Sequence, residues 1–186
     1  MATATIHFYN PINVETARIF RNLCLNALMH PQQRPDSLEI MFSSAGGNVQ
    51  AGITMYEFLR TAPVPVTMCN VGSVESVSII VFLGADKRIA MPNTHFKLHA
   101  FEWSFSQPAV AYSGIADAYL SLNNDIERYA NIFEERTKGA TRKIDIRSCL
   151  RGNPLILSNT ESTAAGITTM EAGEVKLKFP GMHIYH

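Results

Sequence analysis

The sequence has no excess charge of either sign. Lysine and arginine together number 16, as do aspartate and glutamate, so the formal net charge is zero. Proteins that bind nucleic acid through its phosphates need clustered positive charge, and neither a basic face nor an acidic tail is evident here. We therefore expect no nucleic-acid partner.

Cysteine is scarce, and the signals for export or membrane insertion are missing. The three cysteines, Cys24, Cys69 and Cys149, form no paired motif, which is typical of a reducing compartment. The N-terminal residues have neither a basic head nor an apolar stretch, so no signal peptide is expected. The most apolar region, residues 62–85, contains two prolines and a glutamate and makes a poor membrane helix. These features predict a soluble, cytoplasmic protein without a membrane partner.

The chain also lacks a linker and an internal repeat. A length of 186 residues is enough for one domain with a substantial core. Strand patterns that alternate with helix patterns predict an α/β fold with parallel pairing and right-handed crossovers. We expect a single domain over residues 1–186.

What the sequence does contain is a serine, Ser76, between a strand and a helix. Residues 64–69 predict a buried strand, and the apolar run at residues 77–83 predicts a buried helix. A turn there lifts the hydroxyl out of the sheet, and the helix start offers free N–H groups and a positive dipole end. On this stretch alone, a simple helix N-cap is the more common explanation.

Two other segments favour a functional role. Gly46 and Gly47 lie between a predicted strand and a predicted helix, where glycine lets the backbone turn sharply and present bare N–H groups. His99 follows Ser76 by 23 residues and lies on another predicted strand. The two turns follow strands, and ligands of parallel sheets bind at that edge. The sequence therefore predicts a site at the carboxyl ends of the strands.

Three other kinds of site fit these residues less well. His95 and His99 share a strand face, but a metal site needs three well-placed ligands, and no third is clear even with Glu102 nearby. A phosphate loop at Gly47 lacks the lysine that it requires. Cys69 lies in an apolar strand, where a reactive thiolate is disfavoured. We therefore predict neither a metal nor a cofactor.

Several short motifs follow one another in an order that points to a family. They are Ser44–Gly47, Gly72–Ser76, Gly84–Arg88, Met91–Asn93 with His99 and, more weakly, Leu157–Gly166. Together they resemble ClpP, the proteolytic subunit of Clp protease. That family has a Ser-Pro-Gly-Gly turn, a glycine-rich turn that ends in the nucleophilic serine, and a Leu-Pro-Asn sequence before the catalytic histidine. The resemblance extends from about Ile6 to about Thr169.

The resemblance implies a fold and an assembly. The fold is the ClpP/crotonase-like α/β fold, built from repeated strand-strand-helix units with a protruding handle helix. A long helix is predicted at residues 113–138, with an apolar stripe of Ile115, Ala118, Tyr119, Leu122, Ile126, Tyr129, Ile132 and Phe133. By resemblance, this helix stacks two heptameric rings into a homo-oligomer that encloses peptide or unfolded-protein substrates. An ordinary amphipathic helix packed on its own domain would give the same pattern.

The resemblance also implies which residues hydrolyse the peptide bond. Ser76 matches the nucleophile, and His99 matches the general base and later acid. The backbone N–H groups of Gly47 and Val77 match the oxyanion hole, where glycine leaves room for the substrate carbonyl.

The third residue of the family's catalytic triad, an aspartate beside the histidine, is less well defined in this sequence. The position of the family's aspartate falls on Pro154, which has no side-chain acceptor, and a shift of one residue gives Asn153. An asparagine oxygen can accept the Nδ1 proton of His99 and hold its tautomer, although it carries no charge. Asp145 is the alternative. We predict that Asn153 orients His99.

Some residues depart from the family's pattern. Glu75 stands before Ser76 in place of a small apolar residue, and its carboxylate either raises the pKa of His99 or lies outside the site. Ser78 replaces a glycine, and the glycine pair that follows the histidine is absent. Almost no chain precedes Ile6, where the family has its N-terminal axial region. Coupling to an ATP-driven unfoldase is therefore doubtful.

Three functions follow from these observations. The first is a ClpP-like serine endopeptidase with a Ser-His acyl-enzyme mechanism. The second is a non-catalytic ClpP-like structural subunit, which Glu75 and the poorly defined third member favour. The third is a crotonase-type acyl-CoA enzyme, which shares the fold and the oxyanion turn but is disfavoured by the Ser76 and His99 spacing.

Overall fold

A six-stranded sheet organises the fold in the computed structural model, which describes residues 2–30, 34–102, 104–105 and 109–170. The strands are β1 (Thr3–Phe8), β2 (Ser37–Ser44), β3 (Val66–Glu75), β4 (Lys87–Ala90), β5 (His95–Leu98) and β6 (Leu155–Ser158). The helices are α1 (Val14–Leu28), α2 (Val49–Arg60), α3 (Ser78–Leu83), α4 (Tyr112–Arg136), α5 (Ile146–Arg151) and α6 (Asn159–Ala164). The strand pattern at Val175, Leu177 and Phe179 lies outside the described residues.

The sheet is parallel except at one edge. β1, β2 and β3 pair in parallel, and β3 is long enough to pair with β4 along its first half and β5 along its second. β6 runs antiparallel to β5, with His95 opposite Ser158 and Leu98 opposite Leu155. The expectation of parallel pairing is therefore wrong for β6, because a four-residue pattern shows which face is buried but not which way the strand runs.

β3 continues through the segment that the sequence suggested as a turn. Asn70 is fully buried, donates a hydrogen bond to His95 O (3.0 Å) and accepts one from Gly72 N (3.0 Å). Opposite, β2 has an irregular register between Phe42 and Ser44, where the Ser43 hydroxyl bonds the backbone of β3. These side chains take over bonds that a regular ladder would make, so β3 extends as far as Glu75.

Polar caps start the first two helices. Asn13 and Thr16 form a capping box at α1, where Thr16 N donates to Asn13 Oδ1 at 2.8 Å. Asn48 caps α2 by accepting from Ala51 N at 2.8 Å, so this helix starts at Val49. The glycine inside α2, Gly52, faces Val77, and a Cβ added to it would lie 2.4 Å from Val77 Cγ2. Glycine thus lets α2 pack tightly against the Ser76 turn.

Aromatic side chains join the sheet to the helices in one core. Phe8 and Phe42 stack with ring centroids 5.5 Å apart, and Phe82 of α3 meets Phe96 of β5 edge-on at 5.1 Å. Tyr129 of α4 is also fully buried. No helix in the described ranges is both long and apolar enough to cross a membrane.

The long helix α4 has two halves with different surroundings. Its C-terminal half packs into the core through Ile126, Tyr129 and Phe133, which are all buried. Its N-terminal half carries large apolar side chains that are more than half exposed, namely Tyr112, Ile115, Tyr119 and Leu120. The predicted stripe therefore divides into a core segment and a protruding segment, as expected for a handle helix.

Candidate active site

The turn at Ser76 has a conformation that is unusual for serine. Its φ of 55° lies in the left-handed region, and no other non-glycine residue in the described part of the chain has a positive φ. Such a conformation costs roughly 1–3 kcal/mol unless the surrounding structure fixes it. Sharp strand-to-helix turns of this type present a serine hydroxyl above the edge of a sheet.

The backbone of Ser76 is held from three sides. Its N–H donates to Lys97 O on β5 (2.8 Å), and its carbonyl accepts from Ile79 N (3.1 Å) and from the Tyr129 hydroxyl (3.0 Å). Within the described ranges all hydrogen bonds of Ser76 use its backbone. The hydroxyl is therefore free, and it lines an open pocket.

The glycine turn after β2 packs directly against the serine. Gly46 has a φ of 88°, and a Cβ there would lie 2.7 Å from Ser76 Cβ. Gly47 has a φ of 142°, and a Cβ there would lie 2.2 Å from Ile12 O. Both positions need glycine, because side chains rarely adopt these φ values and would collide with backbone or with Ser76.

Most of the predicted site residues meet in one pocket of about 720 Å³. The sheet and the glycine turn contribute Gly47, Ser76 and His99 to its lining. The opposite wall comes from α4, through Ser121, Leu122, Asn124 and Asp125. The buried side chain of Val77 does not line the pocket, although its backbone adjoins Ser76.

Two N–H groups beside the serine have no acceptor. The backbone N–H groups of Gly47 and Val77 donate to no other residue in the described part of the chain. The neighbouring groups are engaged, since Ile12 N donates to Gly46 O and Asn48 N donates to Ile12 O, both at 2.8 Å. Free donors next to a nucleophile are suited to stabilising an oxyanion.

His99 is oriented by the backbone. Its Nδ1 lies 2.8 Å from Ala100 O, which fits an Nδ1–H donor; in the neutral form of this tautomer, Nε2 is the nitrogen that can accept a proton. No hydrogen bond joins His99 to Ser76 among the described residues. The structure thus brings base and nucleophile to the same pocket without a direct hydrogen bond.

The structure places both candidates for the third member away from the pocket. Asn153 is exposed, and its Nδ2 donates to Ser148 Oγ at 2.8 Å. Asp145 caps α5 by accepting from Ser148 N at 3.0 Å. Neither side chain lines the pocket. The assignment of Asn153 stays a prediction.

The residues that depart from the family's pattern have structural partners. Glu75 does not line the pocket; its carboxylate lies 3.3 Å from His95 Nε2 and forms an ion pair with Lys97 at 3.9 Å. Ser78 is fully buried and donates to Glu75 O (2.5 Å) and Ser44 O (2.9 Å). Of the two alternatives for Glu75, the structure supports a position outside the site.

A polar network between α2 and α4 closes one side of the pocket. Gln50 donates to Asp125 Oδ1 at 2.6 Å and accepts from Arg128 at 2.7 Å. Burial raises the pKa of Asp125, an effect that Arg128 partly opposes. The sequence did not reveal this wall, because Gln50 and Asp125 are 75 residues apart and share no local motif.

The cysteine alternative finds little support. Burial, with a smaller contribution from the charge of Glu39, raises the pKa of the Cys69 thiol to about 11, which disfavours a thiolate nucleophile. No group of three metal-binding side chains comes together in the part of the chain that the structure describes.

Comparisons with known proteins agree on one family. The family described as Clp protease matches residues 1–167. The ATP-dependent Clp protease proteolytic subunit 3 of Rhizobium etli is 27% identical over 146 residues, which cover 75% of this chain and 70% of that protein. The ATP-dependent Clp protease proteolytic subunit 2 of Pseudomonas aeruginosa is 31% identical over 115 residues, 59% of this chain and 54% of that protein.

Solved structures show the same architecture. ClpP1 from Listeria monocytogenes matches with a TM-score of 0.70 and 27% identity, over 90% of this chain and 89% of that chain. A point mutant of the same protein matches with a TM-score of 0.72 and 25% identity, over 90% of both chains. The expected ClpP-like α/β fold with a handle helix is thereby confirmed.

Proposed function

This chain belongs to the Clp protease family, and on that premise we propose that it is a serine endopeptidase that cleaves peptides or unfolded proteins inside a homo-oligomer. The curated relatives are named as proteolytic subunits, which supports peptide-bond hydrolysis. The observation that carries the proposal is the convergence of Ser76, His99 and Gly47 on one pocket.

The proposed reaction uses two side chains and two backbone groups. Ser76 Oγ attacks the scissile carbonyl carbon while His99 Nε2 accepts the hydroxyl proton. The C–N bond then breaks as His99 returns this proton to the leaving amine, and water releases the acyl group from Ser76 by the reverse exchange. The free N–H groups of Gly47 and Val77 stabilise the oxyanion, and one such donor is worth about 100- to 1000-fold in kcat.

We propose that the Ala100 carbonyl orients His99 in this site. An Nδ1–H bond to a backbone oxygen fixes the tautomer that a general base needs. A carbonyl carries no full charge, so it stabilises the imidazolium less than a carboxylate does. We therefore expect slow turnover. Asn153 does not line the pocket, so it can take over this role only if its side chain moves toward His99.

The protruding half of α4 supports an assembly. Tyr112, Ile115, Tyr119 and Leu120 expose apolar surface along one half-helix, and contiguous apolar surface marks interaction sites. We propose that this half-helix stacks two rings, heptameric by resemblance, and that substrate enters the enclosed space. The cytoplasmic location of this chain stays a prediction.

A fluorophosphonate probe tests the nucleophile. The native protein should become covalently labelled, and Ser76→Ala should abolish the labelling. Ser73→Ala is the matched control, since Ser73 lies on β3 just before the turn and should not affect labelling. Mass spectrometry of the labelled peptide identifies the modified residue.

Two results would contradict the proposal. Labelling at Ser73 or Ser78 would move the nucleophile to another residue. No labelling of a folded oligomer would favour the non-catalytic structural subunit, which the missing Ser76–His99 hydrogen bond also favours.

A further inference from the structure

The conformation of Ser76 depends on support from outside its own turn. A left-handed serine is favourable only where its surroundings fix it. Of its three backbone hydrogen bonds, the one to Lys97 continues the sheet and the one from Ile79 belongs to the start of α3. The third comes from Tyr129, which lies 53 residues away on α4.

The hydroxyl of Tyr129 has a specific partner in the core. Tyr129 is fully buried, and its hydroxyl donates to Ser76 O at 3.0 Å. Burial raises the pKa of Tyr129 well above its usual value, so the phenol stays protonated and remains a donor. A buried hydroxyl is unfavourable without such a bond, and an apolar side chain would fill this space without that cost.

The ring of Tyr129 contacts the segment that carries His99. It meets Phe101 edge-on, with centroids 5.5 Å apart and planes at 76°. Phe101 directly follows Ala100, whose carbonyl bonds His99, and Phe101 N is fixed to Leu150 O at 3.1 Å. The Tyr129 side chain thus contacts Ser76 through its hydroxyl and Phe101 through its ring, and Phe101 is the residue after Ala100.

We propose that Tyr129 is a positioning residue that aligns Ser76 with His99. Its hydroxyl holds the carbonyl of Ser76 and thereby the left-handed turn, while its ring holds the segment after His99. This inference rests on the proposed function of Ser76 and His99. It assigns to α4, the helix that carries the protruding apolar surface, a second role inside the active site.

The test is Tyr129→Phe, which removes the hydroxyl and keeps the ring. The loss of one hydrogen bond of ordinary strength corresponds to a fall of roughly 3- to 10-fold in kcat and in the fluorophosphonate labelling rate. KM for a peptide substrate should stay unchanged, because Tyr129 does not line the pocket. Phe101→Leu weakens the ring contact and should also lower kcat, but because Phe101 lines the pocket its KM does not serve as a readout.

Tyr56→Phe is the matched control. Tyr56 is a buried tyrosine on α2 that does not line the pocket, so its loss of a hydroxyl reports the general effect of this change on the core. It should leave kcat and the labelling rate at the wild-type values. A crystal structure of Tyr129→Phe adds a readout without activity, and φ of Ser76 should leave the left-handed region or spread over several conformers.

The outcomes separate this inference from the proposed function. If the wild type is not labelled, the proposed function fails, and the crystal structure of Tyr129→Phe alone then decides whether the hydroxyl holds the turn. If the wild type is labelled and Tyr129→Phe matches it in kcat, labelling rate and Ser76 φ, the inference is wrong. A change in KM alone, or an equal loss in Tyr56→Phe, also overturns it.

Discussion

Replacing Gly47 by alanine should damage the site through a single added carbon. That carbon would lie 2.2 Å from Ile12 O, whereas ordinary contacts begin near 3.4 Å. The atoms that it meets are backbone atoms, which cannot rotate away as a side chain can. The glycine turn must therefore shift by roughly 1 Å, and a misplacement of that size can cost about 100-fold in rate.

The expected loss of stability has two sources. Alanine at a φ of 142° is strained by about 1–3 kcal/mol. The shift would also break the bonds from Ile12 N to Gly46 O and from Asn48 N to Ile12 O, each worth about 0.5–1.5 kcal/mol. Together these changes amount to roughly 2–6 kcal/mol.

Alanine substitutions at two other glycines distinguish the effect of backbone strain from that of steric collision. Gly152 has nearly the same φ, 141°, but nothing lies within 4 Å of a Cβ added there, so Gly152→Ala reports strain alone. A Cβ added at Gly139 would also meet no atom within 4 Å, and the φ of Gly139 is not positive. Gly139→Ala should therefore change neither stability nor labelling much. Both controls should keep the wild-type rate of Ser76 labelling.

The assay combines thermal unfolding with the fluorophosphonate labelling rate. Gly47→Ala should lower the unfolding midpoint the most and slow labelling about 100-fold or more. Gly152→Ala should lower the midpoint without slowing the labelling. Wild-type labelling by a folded Gly47→Ala variant would refute the role of this turn in the oxyanion hole.

Two further predictions concern the assembly and the third member of the triad. Replacing Tyr119 and Leu120 by lysine should separate stacked rings and so halve the mass of the oligomer measured by light scattering. Lysine at the buried Ile126 should instead unfold the protein. An unchanged oligomer mass in the first variant would exclude stacking through this surface. Asn153→Ala should leave kcat within about twofold of wild type if Ala100 orients His99, and Asp145→Ala should cost about 1 kcal/mol of stability as a lost cap without lowering kcat; a fall of tenfold or more in either variant would identify the orienting residue.

Local signals in the sequence predicted the elements that depend on neighbouring residues. Asn13 is a favoured helix N-cap residue and stands directly before an apolar helical pattern, and the structure shows the start and the cap of α1 there. The long pattern at residues 113–138 predicted α4, which extends over Tyr112–Arg136. In both cases the cap or the periodicity lies within the element itself, so no distant contact decides the outcome.

Other features could not be predicted because distant partners determine them. β3 passes through Asn70 and Gly72, which favour a turn, since Ser43 of β2 and the carbonyl of His95 replace the regular ladder. α2 includes Gly52, which disfavours a helix interior, because Gly52 fits closely against Val77. The sequence contains these residues, but only the folded sheet brings them together.

The structure bears on whether Ser76 is only a helix cap. A capping serine would accept a hydrogen bond from the first turn of α3, yet the N-cap position is Val77 and no side chain caps this helix. Ser76 instead has a left-handed backbone and lines a pocket shared with His99. A left-handed residue whose side chain gives the helix no hydrogen bond costs about 1–3 kcal/mol, so strain of this kind is a reason to infer function. Because the free N–H groups of Gly47 and Val77 stand beside the same hydroxyl, the geometry favours a nucleophile over a cap.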